Sequence, residues 1–278
     1  MSQLASAVSR NVEAALAEDI GRCDYTAQLV PAQSHASAIV TSREDSIVCG
    51  RPWFDACFAA LDATVDLEWF AAEGDRAAPG TKICAVRGPA RALLTGERSA
   101  LNFLQLLSAV ATKTRRYVEA VGGTRARIVD TRKTLPGLRV AQKYAVRIGG
   151  GSNHRMGLYD GMLIKENHIA AAGSVRAALE QAARAAPADV WVQIEVETLE
   201  QLEQALACGA KMILLDNMDN SRMREAVRIT AGRAELEASG GVTLDTVRAV
   251  AETGVDRISI GSLTKDIRAA DLSMRFVG

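Results

Sequence analysis

Hydrophobic and polar residues follow two different patterns along the chain. Residues 1–22 place Val8, Val12 and Leu16 at helical spacing, which predicts an amphipathic helix. The segment 65–70 instead changes between apolar and polar at nearly every step, as a half-exposed strand does. Further short strands are predicted over residues 37–41, 47–49, 83–86 and 91–94, and a helix over 52–61. This mixture predicts a small α+β domain in the N-terminal part.

The most regular helical pattern lies in the middle of the chain. It starts near Thr95 and continues to about Val121, and its apolar face consists of Leu101, Leu104, Leu107, Val110 and Ala111. We expect this long helix to connect two domains.

After Gly123 the chain alternates between apolar runs and Ala-rich amphipathic stretches. Strands are predicted over residues 127–130, 162–164, 190–196, 212–215, 234–238 and 257–260. Helices are predicted over residues 174–186, 199–208, 221–231 and 244–253. Alternation at this spacing is typical of βαβ units around a parallel sheet. The small number of helices favours an α/β barrel over an open sheet covered on both faces.

Composition narrows the class of protein. Hydrophobic residues make up 48% of the 278 residues but aromatic residues only 4%, so the core must be aliphatic, as in α/β folds. Scarce aromatic residues and equal numbers of basic and acidic residues, 33 of each, argue against nucleic-acid binding. No apolar run is long and uninterrupted enough for a signal core or a membrane span. Five widely spaced cysteines without a C-x-x-C motif indicate a reducing, cytoplasmic environment.

Basic residues concentrate in the segment 130–168. It contains four Arg, three Lys and two of the three His, while only Asp160 and Glu166 oppose them between Arg132 and His168. A neutral chain that gathers its cations in this way is expected to bind a small anion there.

Polar side chains and glycines lie at or just after the predicted strands. In a parallel α/β barrel the carboxyl ends of the strands share one rim, which holds the active site. We therefore expect convergence of Arg132, Lys133, Lys165, Glu195, Asp216, Ser239 and Gly261. Glu195 lies within an apolar run, where an unpaired carboxylate is costly, so it should have a partner or a ligand.

Several of these features also have simpler interpretations. Asp216 can cap a turn, and Ser239-Gly-Gly241 can be an ordinary turn, although a helix predicted to begin near Leu244 also suits a phosphate cradle. The run 149–151 of three glycines is predicted to be a flexible loop, because no P-loop lysine follows it. Arg139, Lys143 and Arg147 recur every four residues, which fits a solvated helix face that supports the site or faces solvent. His35 is expected to be structural or on the surface.

The predicted rim has two halves. The cationic half contains Arg132, Lys133, His154, Arg155 and Lys165, which suit carboxylates or a pyrophosphate. The other half contains Glu195, Asp216, the segment 239–241 and Gly261, which suit a phosphorylated sugar with Mg²⁺. A phosphoribosyl donor together with an acidic acceptor fits both halves.

Long motifs in these segments resemble those of the quinolinate phosphoribosyltransferase family, the decarboxylating nicotinate-nucleotide pyrophosphorylases. The resemblance lies in Thr-Arg-Lys-Thr-Leu-Pro-Gly-Leu-Arg at 131–139, Gln-Lys-Tyr-Ala-Val-Arg at 142–147, Asn-His-Arg at 153–155 and Lys-Glu-Asn-His at 165–168. It continues through Gly-Glu-Arg at 96–98, Leu-Leu-Asp-Asn at 214–217, Glu-Ala-Ser-Gly-Gly at 237–241 and Ile-Gly at 260–261. It therefore extends over nearly the full chain.

The resemblance implies a fold and an assembly. It implies an N-terminal α/β sandwich domain with a leading helix over residues 1–106, then an incomplete, roughly seven-stranded parallel α/β barrel over 107–278, whose C-terminal tail packs back on the first domain. It also implies a homodimer, open to higher assembly, in which active sites are shared between subunits.

The resemblance also implies roles for individual residues. The quinolinate pocket would comprise Arg98 from the neighbouring subunit and Arg132, His154, Arg155 and Lys165, with Lys133 between the two ligand regions. Thr131 would also bind substrate. Glu195 and Asp216 would lie near the ribose hydroxyls and Mg²⁺, and Ser239, Gly240, Gly241 and Gly261 would bind phosphate. The catalytic set would be Lys133, Lys165, Glu195 and Asp216.

The implied reaction joins quinolinate to the ribose of phosphoribosyl pyrophosphate, with loss of CO₂, in NAD biosynthesis. Two other interpretations stay open at the level of sequence. One is a related phosphoribosyltransferase acting on another acid, such as a paralogue associated with molybdate transport. The other is a non-catalytic anion-binding module, which would need the cations but not Glu195 and Asp216 on the same rim.

Overall fold

The structure is a computed structural model that describes residues 2–277. The chain divides into two compact units. The first contains the chain up to Arg115, the segment Thr134–Gly150 and the chain from Thr264 onward. The second contains Arg116–Lys133 and Gly151–Leu263. The first unit thus includes the C-terminal segment, which the family resemblance implies packs back on the first domain, and also the segment Thr134–Gly150.

Helices and strands occupy the following residues. The helices are α1 (Gln3–Ile20), α2 (Arg51–Leu61), α3 (Ala90–Ala120), α4 (Arg139–Ile148), α5 (Glu166–Ala172), α6 (Val175–Ala185), α7 (Leu199–Ala207), α8 (Asn220–Thr230), α9 (Val247–Ala251) and α10 (Ser262–Lys265). The strands are β1 (His35–Ser42), β2 (Ser46–Ile47), β3 (Asp66–Trp69), β4 (Arg76–Ala77), β5 (Lys82–Pro89), β6 (Arg127–Val129), β7 (Gly161–Ile164), β8 (Trp191–Val196), β9 (Met212–Asp216), β10 (Glu235–Ser239), β11 (Arg257–Ser259) and β12 (Leu272–Val277). A short 3₁₀ helix spans Ala27–Leu29.

The first unit is built on an antiparallel sheet in the order β12-β1-β5-β3, beside a small β2–β4 pair. The last strand therefore returns to the first one, with Ser37 opposite Val277 and Ser42 opposite Leu272. The core of this unit includes the fully buried Trp53, Phe54 and Phe58 of α2. Phe54 meets Phe58 edge-on, with the ring centroids 5.2 Å apart, which adds a directional contact to the apolar burial.

The long helix is present, but it begins earlier than the sequence pattern predicts. Its predicted apolar face is buried, since Leu101, Leu104 and Leu107 are each at most 2% exposed. The strand predicted over 91–94 is wrong, because these residues form the first turn of α3. A four-residue run of Arg, Ala and Leu has no decisive periodicity, and these residues favour helix once Pro89 has ended β5.

The second unit is a parallel sheet with strand order β6-β11-β10-β9-β8-β7 and the helices α5 to α9 between its strands. This fits the α/β barrel that the alternating pattern predicts, in the incomplete form that the family resemblance implies. It has six strands rather than about seven, and Ser152 adds a one-residue parallel bridge to Val129 of β6. Helix α9 begins at Val247 rather than near Leu244, so the predicted helix start directly after the Gly-Gly turn is wrong.

Helix α4 is not the solvated helix that the spacing of its basic residues suggested. Arg147 is exposed, but Lys143 is 0% exposed. Gln142 is also buried, and its side-chain amide donates to the carbonyl oxygen of Thr264 at 2.9 Å. Burial extends around the helix because it lies inside the first unit, a tertiary effect that spacing alone does not reveal.

The glycine run after α4 also differs from expectation at its first residue. Gly149 is buried, and a Cβ there would lie 2.6 Å from both the carbonyl oxygen of Ala111 and Cβ of Thr114. Gly149 therefore permits α4 to end directly against α3, rather than serving as a flexible loop.

Candidate active site

The carboxyl ends of the parallel strands bring the predicted polar residues to one rim of the second unit. Glu195 of β8 lies in register with Leu214 of β9, which lies in register with Glu237 of β10. One pleat further on, Asp216 lies beside Ser239. The side chains that alternate along these strands thus form layers, and the last layer carries the site residues.

A cavity of about 330 Å³ opens at this rim. Eight predicted site residues line it: Thr131, Arg132, Lys133, His154, Arg155, Lys165, Glu195 and Ser239. Its other lining residues are Leu163, Leu214, Glu237 and Ser259, which were not predicted as site residues. Strand alternation could have found them, because each lies two residues before a predicted site residue, and residues two apart on a strand face the same side of the sheet.

Arg132 and Arg155 make the cavity positive on one side. Burial lowers the pKa of the Arg155 guanidinium, the neighbouring Arg132 lowers it further, and Asp160 acts in the opposite direction. Arg155 Nη1 donates to the carbonyl oxygen of Gly161 at 2.9 Å, which holds the side chain in place. The two guanidiniums repel each other in a partly buried cavity, and an anion bound between them would reduce this repulsion.

Lys165 and Glu195 form an ion pair on the adjacent wall. Lys165 Nζ lies 2.9 Å from Glu195 Oε2 and 3.2 Å from Oε1. The Glu195 side chain is only 10% exposed, and Lys165 is the charged partner that the position of Glu195 within an apolar run predicts. Lys165 is 44% exposed and stays accessible to a ligand.

Lys133 crosses the end of the neighbouring strand. A Cβ at Gly261 would lie 3.0 Å from Lys133 Cδ and 3.8 Å from its Nζ, so the missing side chain leaves room for the lysine. The Lys133 N–H donates to Thr131 Oγ1 at 3.0 Å, which forms a tight turn after β6. Gly261 thus lies beside Lys133, although it does not line the described part of the cavity.

The acidic and glycine-rich part of the rim is held by turns. Asn217 donates its side-chain amide to Asp216 Oδ2 at 2.8 Å and its backbone N–H to the Ser239 carbonyl at 2.9 Å. Gly240 has φ +111° and passes so close to Asn217 that no side chain would fit. Asp216, Gly240 and Gly241 lie on this rim but are not among the described residues that line the cavity. The exposed glycine backbone is open to an anion.

A buried polar network lies beneath the cavity. Asp130 is 0% exposed and accepts hydrogen bonds from the His154 backbone N–H at 2.8 Å and from the Asn153 amide at 2.6 Å. His154 Nε2 lies 3.0 Å from Gln193 Oε1, and Gln193 Nε2 donates to Glu237 Oε2 at 3.2 Å. The sequence motifs predict His154 as a site residue but do not mark Asp130 and Gln193, which hold it.

Three predicted or noted residues lie elsewhere. Arg98 is exposed on α3 in the first unit. His35 is exposed at the start of β1, as expected for a surface residue. His168 accepts a hydrogen bond on Nδ1 from the Lys165 N–H at 3.0 Å, so it caps the start of α5.

Two features of the described residues concern metal binding and membrane-spanning helices. Across residues 2–277, no group of three or more His, Cys, Asp or Glu side chains is arranged to hold a metal ion. In the same residues, none of the helices has the length and apolar character needed to cross a membrane.

Comparison with known proteins places both parts of the chain. Residues 24–108 match the quinolinate phosphoribosyl transferase N-terminal domain, and residues 110–275 match the C-terminal domain of the same name. A Bacillus subtilis protein named as a probable carboxylating nicotinate-nucleotide pyrophosphorylase is 43% identical over 257 residues, which is 92% of this chain and 89% of the relative. A decarboxylating quinolinate phosphoribosyltransferase of Nicotiana glauca is 39% identical and covers 95% of this chain and 80% of its own. The solved nicotinate-nucleotide pyrophosphorylase of Francisella tularensis superposes with a TM-score of 0.95 at 40% identity over 100% of both chains.

Proposed function

The chain belongs to the quinolinate phosphoribosyltransferase family, and from that premise we propose that the rim cavity of the second unit binds its two substrates side by side. The enzyme transfers the phosphoribosyl group of phosphoribosyl pyrophosphate to quinolinate with decarboxylation, and forms nicotinate mononucleotide, pyrophosphate and CO₂ in NAD biosynthesis. The roles of individual residues are the proposal.

The observation that carries it is the pair of guanidiniums on one wall of the cavity. Quinolinate carries two adjacent carboxylates, and a planar guanidinium can bind a carboxylate through two parallel hydrogen bonds. Arg132 and Arg155 repel each other in the unliganded site, and a dianion between them removes that repulsion. Lys165 offers a third cation on the adjacent wall, where it is 44% exposed.

The glycine-rich turn would hold the phosphoribosyl donor. Ser239, Gly240 and Gly241 end β10 at the rim, and backbone N–H groups in such turns are good phosphate ligands. Lys133, which lies over Gly261, would face the pyrophosphate leaving group from the other side of the strand ends. Glu195 and Asp216 would accept hydrogen bonds from the ribose hydroxyls, since both carboxylates end neighbouring strands.

The geometry favours catalysis by positioning and fixed charge. The ring nitrogen of quinolinate attacks C1 of the ribose with its lone pair, while the C1–oxygen bond to pyrophosphate breaks. No proton needs to leave that nitrogen, so the reaction needs no activated Ser or Cys nucleophile. Positive charge builds up on the ribose in the transition state, where the carboxylates of Glu195 and Asp216 stabilise it.

Decarboxylation then follows from the product of the first step. The carbon–carbon bond to the C2 carboxylate breaks, and its electron pair stays on C2 next to the now positively charged nitrogen. CO₂ leaves as this bond breaks, and C2 then takes a proton from solvent. Arg132 and Arg155 would orient the acid so that the C2 carboxylate stands out of the ring plane. Lys133 and Lys165, which line the same cavity, are the proposed catalytic cations.

Mg²⁺ fits this site as a companion of the donor substrate rather than as a resident ion. Glu195 and Asp216 are carboxylates of the kind Mg²⁺ prefers, but within residues 2–277 they belong to no three-ligand cluster. They would therefore hold the ion together with water and substrate oxygens. When bound, Mg²⁺ supplies charge neutralisation for the departing pyrophosphate.

We also propose a homodimer in which Arg98 of the neighbouring subunit completes the quinolinate pocket. Support comes from the family motif around Arg98 and from its exposure on α3. Subunits carrying Arg98→Ala should complement subunits carrying Lys165→Ala, because a mixed dimer retains one intact site. A properly formed heterodimer without regained activity would argue against a shared pocket.

All five cysteines are free, which supports a reducing compartment such as the cytoplasm.

Substrate identity can be tested directly. Purified protein with Mg²⁺ and phosphoribosyl pyrophosphate should convert quinolinate to nicotinate mononucleotide and release CO₂ and pyrophosphate in equal amounts. Turnover of another acid without CO₂ release would instead indicate a related phosphoribosyltransferase. Binding of quinolinate without Mg²⁺-dependent pyrophosphate release would indicate a non-catalytic anion-binding protein.

A further inference from the structure

Glu237 lies under the cavity, and the proposed mechanism assigns it no role. It is on β10 and its side chain is only 1% exposed. Its Oε2 accepts a hydrogen bond from Gln193 Nε2 at 3.2 Å and lies 3.0 Å from Arg257 Nε, an ion pair with a poor angle for a hydrogen bond. Its Oε1 lies 3.7 Å from His154 Nε2. A buried carboxylate is costly, so its place beside a substrate cavity calls for an explanation.

The contacts define a direction for each hydrogen bond. A carboxylate paired with Arg257 can only accept, so Gln193 must turn its NH₂ group towards Glu237. The carbonyl oxygen of Gln193 then faces His154 Nε2 at 3.0 Å, and this nitrogen must carry the proton.

The other ring nitrogen of His154 gives the same answer independently. The Arg155 backbone N–H points at His154 Nδ1 at 2.8 Å, so Nδ1 must be the acceptor. Both sides of the ring therefore require one neutral tautomer, protonated on Nε2. A second proton on Nδ1 would remove the hydrogen bond that the Arg155 N–H makes.

We propose that Glu237 is a positioning residue that acts through Gln193 and His154 to hold Arg155 in place beside Arg132. The inference rests on the proposed function, because it assigns Arg155 to the quinolinate pocket. The His154 side chain is only 7% exposed, and both of its nitrogens are engaged, so it holds the Arg155 backbone from the wall of the cavity. The hydrogen bonds of the relay run through Gln193 and His154 to the Arg155 N–H, on the quinolinate side of the proposed site.

Steady-state kinetics of Glu237→Gln test this role. Glutamine keeps the shape but can donate as well as accept, so Gln193 loses its fixed orientation. We expect KM for quinolinate to rise about tenfold, the effect of one misplaced hydrogen bond to a charged group, while KM for phosphoribosyl pyrophosphate and kcat change less than about twofold. Glu235→Gln is the matched control: it removes the same charge from the same strand and also removes a contact with Arg257, at 3.4 Å, but the ion pairs of Glu235 run to Arg257 and Arg127 and not to Gln193 or His154. An unchanged KM for quinolinate in Glu237→Gln, with an active wild type, overturns the proposal.

A second variant and a second measurement decide the matter if Glu237→Gln fails to fold. Gln193→Met breaks the relay but keeps both members of the Glu237–Arg257 ion pair, and it should raise KM for quinolinate in the same way. An unchanged KM there contradicts the relay.

The tautomer itself can be measured on the wild type by NMR with ¹⁵N-labelled histidine. The chain has three His, and loss of one signal set in His154→Gln assigns His154. We expect Nε2 to be protonated and Nδ1 unprotonated at neutral pH. An Nδ1–H tautomer or an imidazolium would overturn the relay, whereas absence of quinolinate turnover by the wild type would overturn only the proposed function.

Discussion

Replacing Arg132 with Met should separate activity from stability. Arg132 lines the cavity and is partly exposed, so we take a value in the lower half of the range for a charged pair that loses one partner, about 3 kcal/mol. That corresponds to roughly a 100-fold loss in kcat/KM for quinolinate. Because Arg132 also lowers the pKa of Arg155 by repulsion, its removal relieves the unliganded site. Relief of this repulsion should offset part of the loss of the other contacts of Arg132, so the melting temperature should change little.

The assay measures initial rates against quinolinate at saturating phosphoribosyl pyrophosphate, together with thermal unfolding. Arg127→Met serves as the control, because Arg127 lies at the opposite end of β6 and pairs with Glu235 on the exposed side. Its activity should stay near that of the wild type, since exposed ion pairs contribute little. Near-normal kcat/KM for quinolinate in Arg132→Met would remove Arg132 from the substrate site. A large fall in the melting temperature would contradict the repulsion between the two guanidiniums.

Three further results are expected. Burial raises the pKa of the Glu73 carboxyl above its ordinary 4.5, so the folded state binds this proton more tightly than the unfolded state does. The protonated carboxyl therefore stabilises the fold at low pH, and this stabilisation is lost as the pH rises through the folded pKa. The free energy of unfolding of the wild type relative to Glu73→Gln should thus fall across the pH range just above 4.5, and a pH-independent difference in urea unfolding would contradict this. Gly149→Ala places a methyl group 2.6 Å from the Ala111 carbonyl oxygen, which should destabilise the protein by about 1–3 kcal/mol; an unchanged urea midpoint would refute that packing. Because Mg²⁺ is proposed to enter with the donor substrate, chelation should abolish turnover without changing the melting temperature of the substrate-free protein, and a clear drop in melting temperature would point to a resident ion.

The rim of the barrel could be predicted because it follows from local patterns. Each strand of the second unit is a short apolar run, and the residue after such a run must reach the carboxyl end of the sheet. That rule brought Arg132, Lys165, Glu195 and Ser239 to one cavity although they are far apart in the sequence. It also explains why the unpredicted Leu214 and Ser259 lie there, since Ser259 ends β11 and Leu214 lies one pleat before Asp216 at the end of β9.

Tertiary packing decided the features that sequence patterns missed. The burial of Lys143 depends on α4 belonging to the first unit, although it lies in the sequence between two strands of the second. Gln193 accepts a hydrogen bond from His154 and donates one to Glu237, which joins three separate segments, and nothing in the spacing of these residues marks them as partners. Short runs such as 91–94 are too short to show a period, so their structure depends on what precedes them.

The most direct test of the account is a crystal structure of the protein with nicotinate mononucleotide. The pyridine carboxylate should lie against Arg132 and Arg155, and the phosphate should lie against the turn of Ser239, Gly240 and Gly241. This arrangement would place the acid in the cationic half and the sugar phosphate in the glycine-rich half. A nucleotide bound outside the rim cavity, or bound with its phosphate on the two arginines, would contradict the proposed site.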